Sequence, residues 1–350
     1  MPTARALLRA ALVTPLLVTS AFAQSALAPR EVPAKSIPVP DSVSPGIQKL
    51  VAAPLSPVWN NIPTTAEGWK AQVAAVTAAT MKGVPALREA LHVKSEPAVI
   101  AGVKVNILTP EGMPAKNRHR LLVHVHGGCF VNGPGESGTP EAILMAGFGG
   151  FKVISVDYRM PPDYPYPAPL DDAMAVWKAA TKMEKPKNMA IFGSSAGGNL
   201  TLAMILRAKM EHLPLPAAIA PGTPMSDLTL SGDSFQTNAM VDNVLVAPGA
   251  NCDKRAALYT NGRDPHDPLL SPLFGDMHGF PPAILTTGTR DLLLSNTVRT
   301  HRKLREAGVE AVLQVFEAQS HAQFSRDVHA PETKEAFDEI ARFFDKHLGK

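Results

Sequence analysis

The most constraining stretch of this 350-residue chain is Gly193-Ser194-Ser195-Ala196-Gly197, because of what flanks it. The short apolar run Met189–Phe192 precedes it and the Ala-, Leu- and Met-rich stretch Asn199–Met210 follows, so Ser195 stands at a strand-to-helix turn. In such a turn strand and helix nearly touch, and Gly193, Ala196, Gly197 and Gly198 are the small residues it requires. A serine placed there sits above a helix N-terminus, whose partial positive charge favours a developing anion. A Gly/Ser loop that merely turns would not need this context, so Ser195 is the candidate nucleophile.

The alternation continues along the chain. Short apolar runs at Val103–Leu108, Leu121–Val125, Val153–Val156, Met189–Phe192, Ala217–Ala220, Ala283–Thr286 and Val312–Phe316 read as strands. Helical stretches at Leu170–Thr181, Gly198–Met210, Asn296–Ala307 and Glu332–His347 lie between or after them, which implies an α/β fold with a mostly parallel sheet covered on both faces. Ahead of the strands, Thr65–Thr80 carries Trp69, Val73 and Val76 at helical spacing and predicts one surface helix, capped by Thr64 or Thr65. Pro29 to about Pro63 is rich in Pro, Ser and Val and reads as an extended arm. From Ser226 a polar insert without a clear strand runs to about Asp264; inserts at the C-terminal edge of such a sheet lie over the ligand crevice, so it is expected to form part of a lid.

Charge excludes one class of partner. The 34 Lys plus Arg and 31 Asp plus Glu are interspersed without a like-sign block, so no nucleic acid or other polyanion is expected to bind. Residues 1–23 have the pattern of a secretory signal peptide: Arg5 and Arg9, an apolar stretch Ala10–Val18, and Ala21-Phe22-Ala23 as a small-x-small cleavage site. That stretch is about half the ~20 residues a spanning helix needs, and Pro15 interrupts it, so the expectation is an exported protein, periplasmic or secreted, without a stable membrane anchor.

His126-Gly127-Gly128-Cys129-Phe130 follows the run Leu121–Val125, where a glycine loop can turn a backbone N–H toward the oxyanion formed at Ser195. His124 and His126 alternate onto one face, but no third ligand stands nearby and no metal site is expected. A serine nucleophile needs a base, and the base an orienting carboxylate, in the chain order Ser, Asp or Glu, His. Asp291 lies just past the run Ala283–Thr286, where a loop carboxylate can reach the histidine, the alternative being a helix cap or surface turn; His321 follows Val312–Phe316 by a short loop. His278 precedes Asp291, His301 falls inside a predicted helix, and His329 is farther from the strand.

With Val156-Asp157-Tyr158-Arg159-Met160-Pro161-Pro162, Pro167-Ala168-Pro169-Leu170-Asp171-Asp172-Ala173 and Asp267-Pro268-Leu269-Leu270-Ser271-Pro272, these motifs make the chain from about Leu121 onward resemble the hormone-sensitive-lipase-like (family IV) bacterial carboxylesterases of the α/β-hydrolase superfamily, known by an HGGG motif and a GDSAGG or GTSAGG elbow. The resemblance implies a mostly parallel eight-stranded sheet with helices on both faces and a helical cap. It also implies a Ser195–His321–Asp291 triad, an oxyanion hole from the Gly128, Cys129 and Ala196 amides with Gly127 shaping the turn, and scaffold roles for Tyr158 and Arg159. The implied domains are a signal peptide (1–23), an N-terminal arm with cap helices (24–97) and a catalytic domain (98–350) with a cap insert at about 226–264.

Two positions depart from the family pattern: Cys129 replaces its third glycine, and Ser194 its usual Asp or Thr. Cys129 can still donate its amide if its φ is not forced positive. A Cys129–Cys252 bridge fits an oxidising compartment, but it would tie a catalytic loop to the lid and restrict motion, so two free thiols are expected. The activity implied is that of an exported serine carboxylesterase acting on small, uncharged, short-acyl esters through an acyl-enzyme, with no metal or organic cofactor. A lactonase or amidase would use the same triad, and an inert ligand-binding protein could share the scaffold. The sequence leaves the oligomeric state, a homodimer included, open.

Overall fold

The computed structural model describes residues 30–349; the expected signal segment lies outside them. Contacts divide the chain at Ile37, and residues 30–37 of the first unit carry no helix or strand. The second unit holds one sheet of eight strands: β1 (Val93–Ile100), β2 (Val103–Pro110), β3 (Leu121–Val125), β4 (Lys152–Val156), β5 (Met189–Ser194), β6 (Ala218–Gly222), β7 (Ala283–Gly288) and β8 (Ala311–Phe316), in the order β1-β2-β4-β3-β5-β6-β7-β8. β1–β2 and β2–β4 are antiparallel and every other pair is parallel; Val123 of β3 faces Ile154 on one side and Ile191 on the other.

Parallel strands are covered on both faces and so read as continuous apolar runs. All five residues of β3 are buried, with Leu121, Val123 and Val125 in one core and Leu122 in the other. Among the described residues ten α-helices accompany the sheet: α1 (Pro45–Ala52), α2 (Ala66–Met81), α3 (Val84–Ala90), α4 (Pro140–Gly149), α5 (Ala168–Ala180), α6 (Ala196–Met210), α7 (Ser234–Thr237), α8 (Asn251–Thr260), α9 (Leu294–Glu306) and α10 (Pro331–His347). Helices α4 and α10 cover one face, and α5, α6 and α9 the other. Helix α10 shows why: Phe337, Ile340, Phe343 and Phe344 recur on one side and are buried, while the opposite side is charged. Truncating a fully buried Phe of this kind costs about 3–5 kcal/mol.

The four expected sheet helices and seven expected strands form close to their expected bounds. Helix α2 also forms, with Thr65 Oγ1 accepting the Gly68 amide at 3.1 Å. The stretch read as an extended arm is not extended throughout: helix α1 forms inside it, because Ser44 Oγ accepts the Ile47 amide at its N-terminus and Pro45 suits the first turn. Beyond the expected runs the structure also adds the short helices α3, α7 and α8, strand β1 and helix α4. β1 contains Pro97, which an edge strand tolerates because one side of its backbone has no neighbour to bond. Beyond Glu141 in its first turn, helix α4 is apolar, with Ala142 through Ala146 buried, and shows no amphipathic period. The 226–264 insert carries α7 and α8 and no strand.

Candidate active site

Strand β5 ends at Ser194 and α6 begins at Ala196, leaving Ser195 alone in the turn at φ 63° and ψ −121°. A left-handed φ costs a non-glycine residue about 1–3 kcal/mol, so the surroundings must enforce it. They do so through the Ser195 amide, which donates to Gly222 O (2.9 Å), and the Ser195 carbonyl, which accepts from Asn199 N (3.0 Å) and Met225 N (3.1 Å). The end of β3 also presses on the turn: a Cβ at Gly193 or Gly197 would overlap the Val125 carbonyl oxygen.

The expected base and acid meet at the same sheet edge. His321 Nδ1 lies 3.0 Å from Asp291 Oδ1, and both residues are buried. Asp291 further accepts from the hydroxyls of Thr223 and of Thr287 (3.1 Å) and from the Leu293 amide (2.8 Å). A carboxylate oxygen accepts, so the contact to Asp291 Oδ1 assigns the His321 proton to Nδ1. Nε2 is then free to accept a proton. Ser195, His321 and Gly127 through Cys129 line one cavity of about 630 Å³, while Ala196 is buried behind it at the start of α6.

The glycine loop differs from expectation in two respects. Gly128, Cys129 and Phe130 all have positive φ (110°, 54° and 64°), and the Val131 and Asn132 amides close back on Gly128 O at 3.1 and 2.9 Å. The segment is thus one left-handed turn, and its first amides are left over as at any helix start. Among the described residues the Gly128, Cys129 and Ala196 amides donate to no other backbone or side-chain group. A positive φ at Cys129 is therefore part of the arrangement that frees its amide, not an obstacle to it.

The expectation of free thiols is also corrected: Cys129 and Cys252 are disulfide-bonded, with Cα atoms 5.5 Å apart. The expectation assumed a gap between loop and insert that opens and closes. Instead α8 packs directly on the loop, the buried Phe130 and Tyr259 rings stacking at 3.9 Å, so the bridge spans backbones already in place.

His126 orders the loop from beneath. Its Nδ1 bonds Gly127 O at 2.8 Å, its carbonyl accepts the Tyr158 hydroxyl at 2.7 Å, and the two rings stack at 4.1 Å. Burial pushes the His126 pKa down to about 4, so the ring is neutral. His124 is engaged elsewhere, with Ser155 Oγ (2.9 Å) and Glu141 (3.3 Å), and the described residues contain no cluster of metal-ligating side chains. Arg159 forks onto Asp172 at 2.8–3.1 Å, on the scaffold.

Three polar residues at the site escape sequence reasoning. Thr223 bridges Asp291 and His321 Nδ1 (3.2 Å). Glu141, in the first turn of α4, accepts from the Ser194 hydroxyl (2.6 Å) and amide (3.0 Å), which accounts for a hydroxyl residue beside the nucleophile. Asp242 accepts amides from Val244 (2.8 Å), Leu245 (3.1 Å), Leu292 (2.8 Å) and His321 (3.3 Å), tying the insert to both the acid and the histidine loops. Burial and the nearby Asp291 charge raise its pKa. The only signal for it is the Asp242-Asn243 pair, which reads as an ordinary turn.

Residues 122–325 match the family model described as the alpha/beta hydrolase fold. An esterase of Acinetobacter venetianus is 31% identical over 254 residues, 72% of this chain and 82% of that protein. An acetyl-hydrolase of Streptomyces hygroscopicus is 27% identical, over 68% of this chain and 79% of that protein. Among solved structures, esterase E25 superposes with a TM-score of 0.88 at 40% identity, covering 91% of this chain and 99% of that one. An esterase of the bacterial hormone-sensitive lipase family superposes at 0.70 with 26% identity, over 82% of this chain and 100% of that one. With the elbow, the glycine loop and the Asp291–His321 pair at one sheet edge, these likenesses make the chain a member of the α/β-hydrolase family, in its hormone-sensitive-lipase-like esterase branch.

Proposed function

We propose that this chain is an exported serine carboxylesterase that cleaves small, short-acyl esters. Ser195 Oγ attacks the ester carbonyl while His321 Nε2 takes its proton, and Asp291 holds the imidazole by its Nδ1–H and stabilises the cation that forms. The Gly128, Cys129 and Ala196 amides receive the oxyanion of the tetrahedral intermediate. His321 returns the proton to the leaving alcohol, and water then releases the acyl group from Ser195 by the same steps in reverse order. The reading rests on one observation: Ser195 and His321 line one cavity, with Asp291 hydrogen-bonded behind the imidazole. A cavity of about 630 Å³ suits a small ester. We assign α2 and α8, which contribute to the cavity wall, to the cap.

Export is supported by the 1–23 pattern and by the disulfide, since disulfides persist in oxidising compartments. Hydrolysis of p-nitrophenyl esters from acetate to palmitate, with and without a serine-directed phosphonate, tests the reading. Turnover should peak at short chains and vanish on stoichiometric labelling of Ser195. An enzyme whose activity survives full labelling of Ser195 has its nucleophile elsewhere.

A further inference from the structure

The cavity beside Ser195 is asymmetric in charge. Its lining holds two arginines, Arg255 from α8 and Arg326, five residues past His321, and a single carboxylate, Glu141. Glu141 is already taken up by Ser194 and His124. Arg326 feels the charge of Asp242, whereas no acid acts on Arg255.

Arg255 is only 5% exposed. One terminal nitrogen donates to Gln72 Oε1 at 2.6 Å, the guanidinium lies 5.8 Å from the Trp69 ring centre, and Nε is buried without an acceptor. Burial pulls its pKa down to about 10 with no acid offsetting it, so it remains a cation at neutral pH. A buried arginine is ordinarily paired, because desolvating an isolated charge costs several kcal/mol. An unpaired one in a cavity wall becomes favourable when an anion arrives, and its planar fork suits a carboxylate. Its position is fixed relative to the chemistry: on α8 Arg255 lies three residues, about 4.5 Å of rise, beyond Cys252, which is bonded to Cys129 of the glycine loop.

We propose that Arg255 is an anion subsite, and that the preferred substrates are esters carrying a carboxylate a few bonds from the scissile carbonyl. This rests on the serine-esterase reading and replaces the uncharged ester expected from the sequence with an anionic one. The carboxylate can sit on the acyl or the alcohol side, and the test separates the two.

Turnover is followed by titration of released acid for two matched pairs: monoethyl glutarate against ethyl pentanoate (acyl side), and acetoxyacetate against propyl acetate (alcohol side). In the unaltered protein at low salt, at least one anionic ester should exceed its neutral partner at least tenfold in kcat/KM, mainly through KM. In Arg255→Met the loss on that anionic ester should exceed the loss on its partner at least tenfold, with partial recovery in Arg255→Lys. An unaltered protein that prefers the neutral member of both pairs would overturn the subsite without needing any variant, as would equal losses on charged and neutral esters. A separate arm is independent of catalysis: the anionic ester should bind Ser195→Ala at least tenfold tighter than its neutral partner. If no ester turns over and the phosphonate leaves Ser195 unlabelled, the serine-esterase reading fails; equal binding of charged and neutral esters by Ser195→Ala, by contrast, rejects the subsite alone.

Discussion

The wall of the cavity that the strand ends build and the wall that α2 and α8 build treat charge in opposite ways. Around the strand ends the carboxylates of Asp291, Asp242 and Glu141 are saturated: Asp291 by Thr223, Thr287, Leu293 and His321, Asp242 by four amides, and Glu141 by Ser194 and His124. On the helical wall the cation Arg255 has one neutral acceptor and a bare Nε. Groups that must hold a geometry through a reaction are fixed by neighbours in advance, because a misplacement of about 1 Å costs about a hundredfold in rate. A group that recognises a ligand leaves its hydrogen-bonding capacity for that ligand. The division assigns chemistry to one wall and selection to the other.

The strongest way to break this division is Ser195→Ala. It should lower kcat at least about a thousandfold while leaving the unfolding transition in place, since Ser195 contributes strain and chemistry but little packing. Binding of a non-reactive ester analogue should persist, because selection lies on the other wall. Loss of binding together with turnover would show that the two walls are not separable.

The strand-end wall was largely legible in the sequence and the helical wall was not, for physical reasons. A nucleophile elbow demands small residues at fixed offsets, and a histidine or aspartate just past an apolar run is placed at the sheet edge by the strand itself. Ser195, Asp291 and His321 could therefore be picked out from local patterns, and the structure brings them to one edge. Arg255 carries no such mark: an arginine on a short helix in a polar insert looks like a solvated face, and only tertiary packing buries it. The same holds for Asp242 and for the Cys129–Cys252 bridge, whose partners are distant in sequence and meet only because α8 stacks on the glycine loop. Strand β1 and helix α4 were missed for the converse reason: an edge strand tolerates Pro97, and a helix buried on all sides loses its period.

The disulfide is the covalent joint between the two walls, and breaking it tests how far the helical wall depends on it. Cys252→Ala opens a bridge spanning 123 residues of sequence, and should cost about 2–4 kcal/mol of stability. Chemical denaturation of the variant beside the unaltered protein under non-reducing conditions measures this. Because Phe130 still stacks on Tyr259, short-ester turnover should fall less than it does in Ser195→Ala. A variant as stable as the unaltered protein would mean that packing alone holds α8 on the loop.

Acid should loosen the strand-end wall through His126. In the folded chain this ring stays neutral down to about pH 4, whereas the unfolded chain protonates it near pH 6.5. Between those values the unfolded state binds more protons, so the contribution is fully present above pH 6.5 and is lost as the pH falls, by about 3 kcal/mol at most. Urea unfolding at pH 7, 5.5 and 4.5 for the unaltered protein and His126→Asn isolates this from other acid-sensitive groups. The unaltered protein should lose more stability over that range than the variant, and parallel losses would remove His126 as the cause.

The smallest predicted effect concerns Asp242, which touches no reacting atom and acts only through His321. Its carboxylate receives the His321 and Leu292 amides on one oxygen, so it fixes the backbone from which the imidazole projects and the backbone next to Asp291. Asp242→Asn keeps the shape but turns an NH₂ group toward amide donors on one side, which forces a small rotation or an unpaired N–H. The expected result is a ten- to hundredfold fall in kcat with little change in KM, because a tilted imidazole impairs proton transfer without altering the helical wall that binds the ester. A merely structural role predicts a different outcome, in which stability falls and kcat per folded molecule does not. Measuring kcat against active-site titre, so that unfolded protein is not counted, separates the two. If KM rises instead and kcat holds, Asp242 belongs to substrate selection, and the whole insert, not α8 alone, sides with the helical wall.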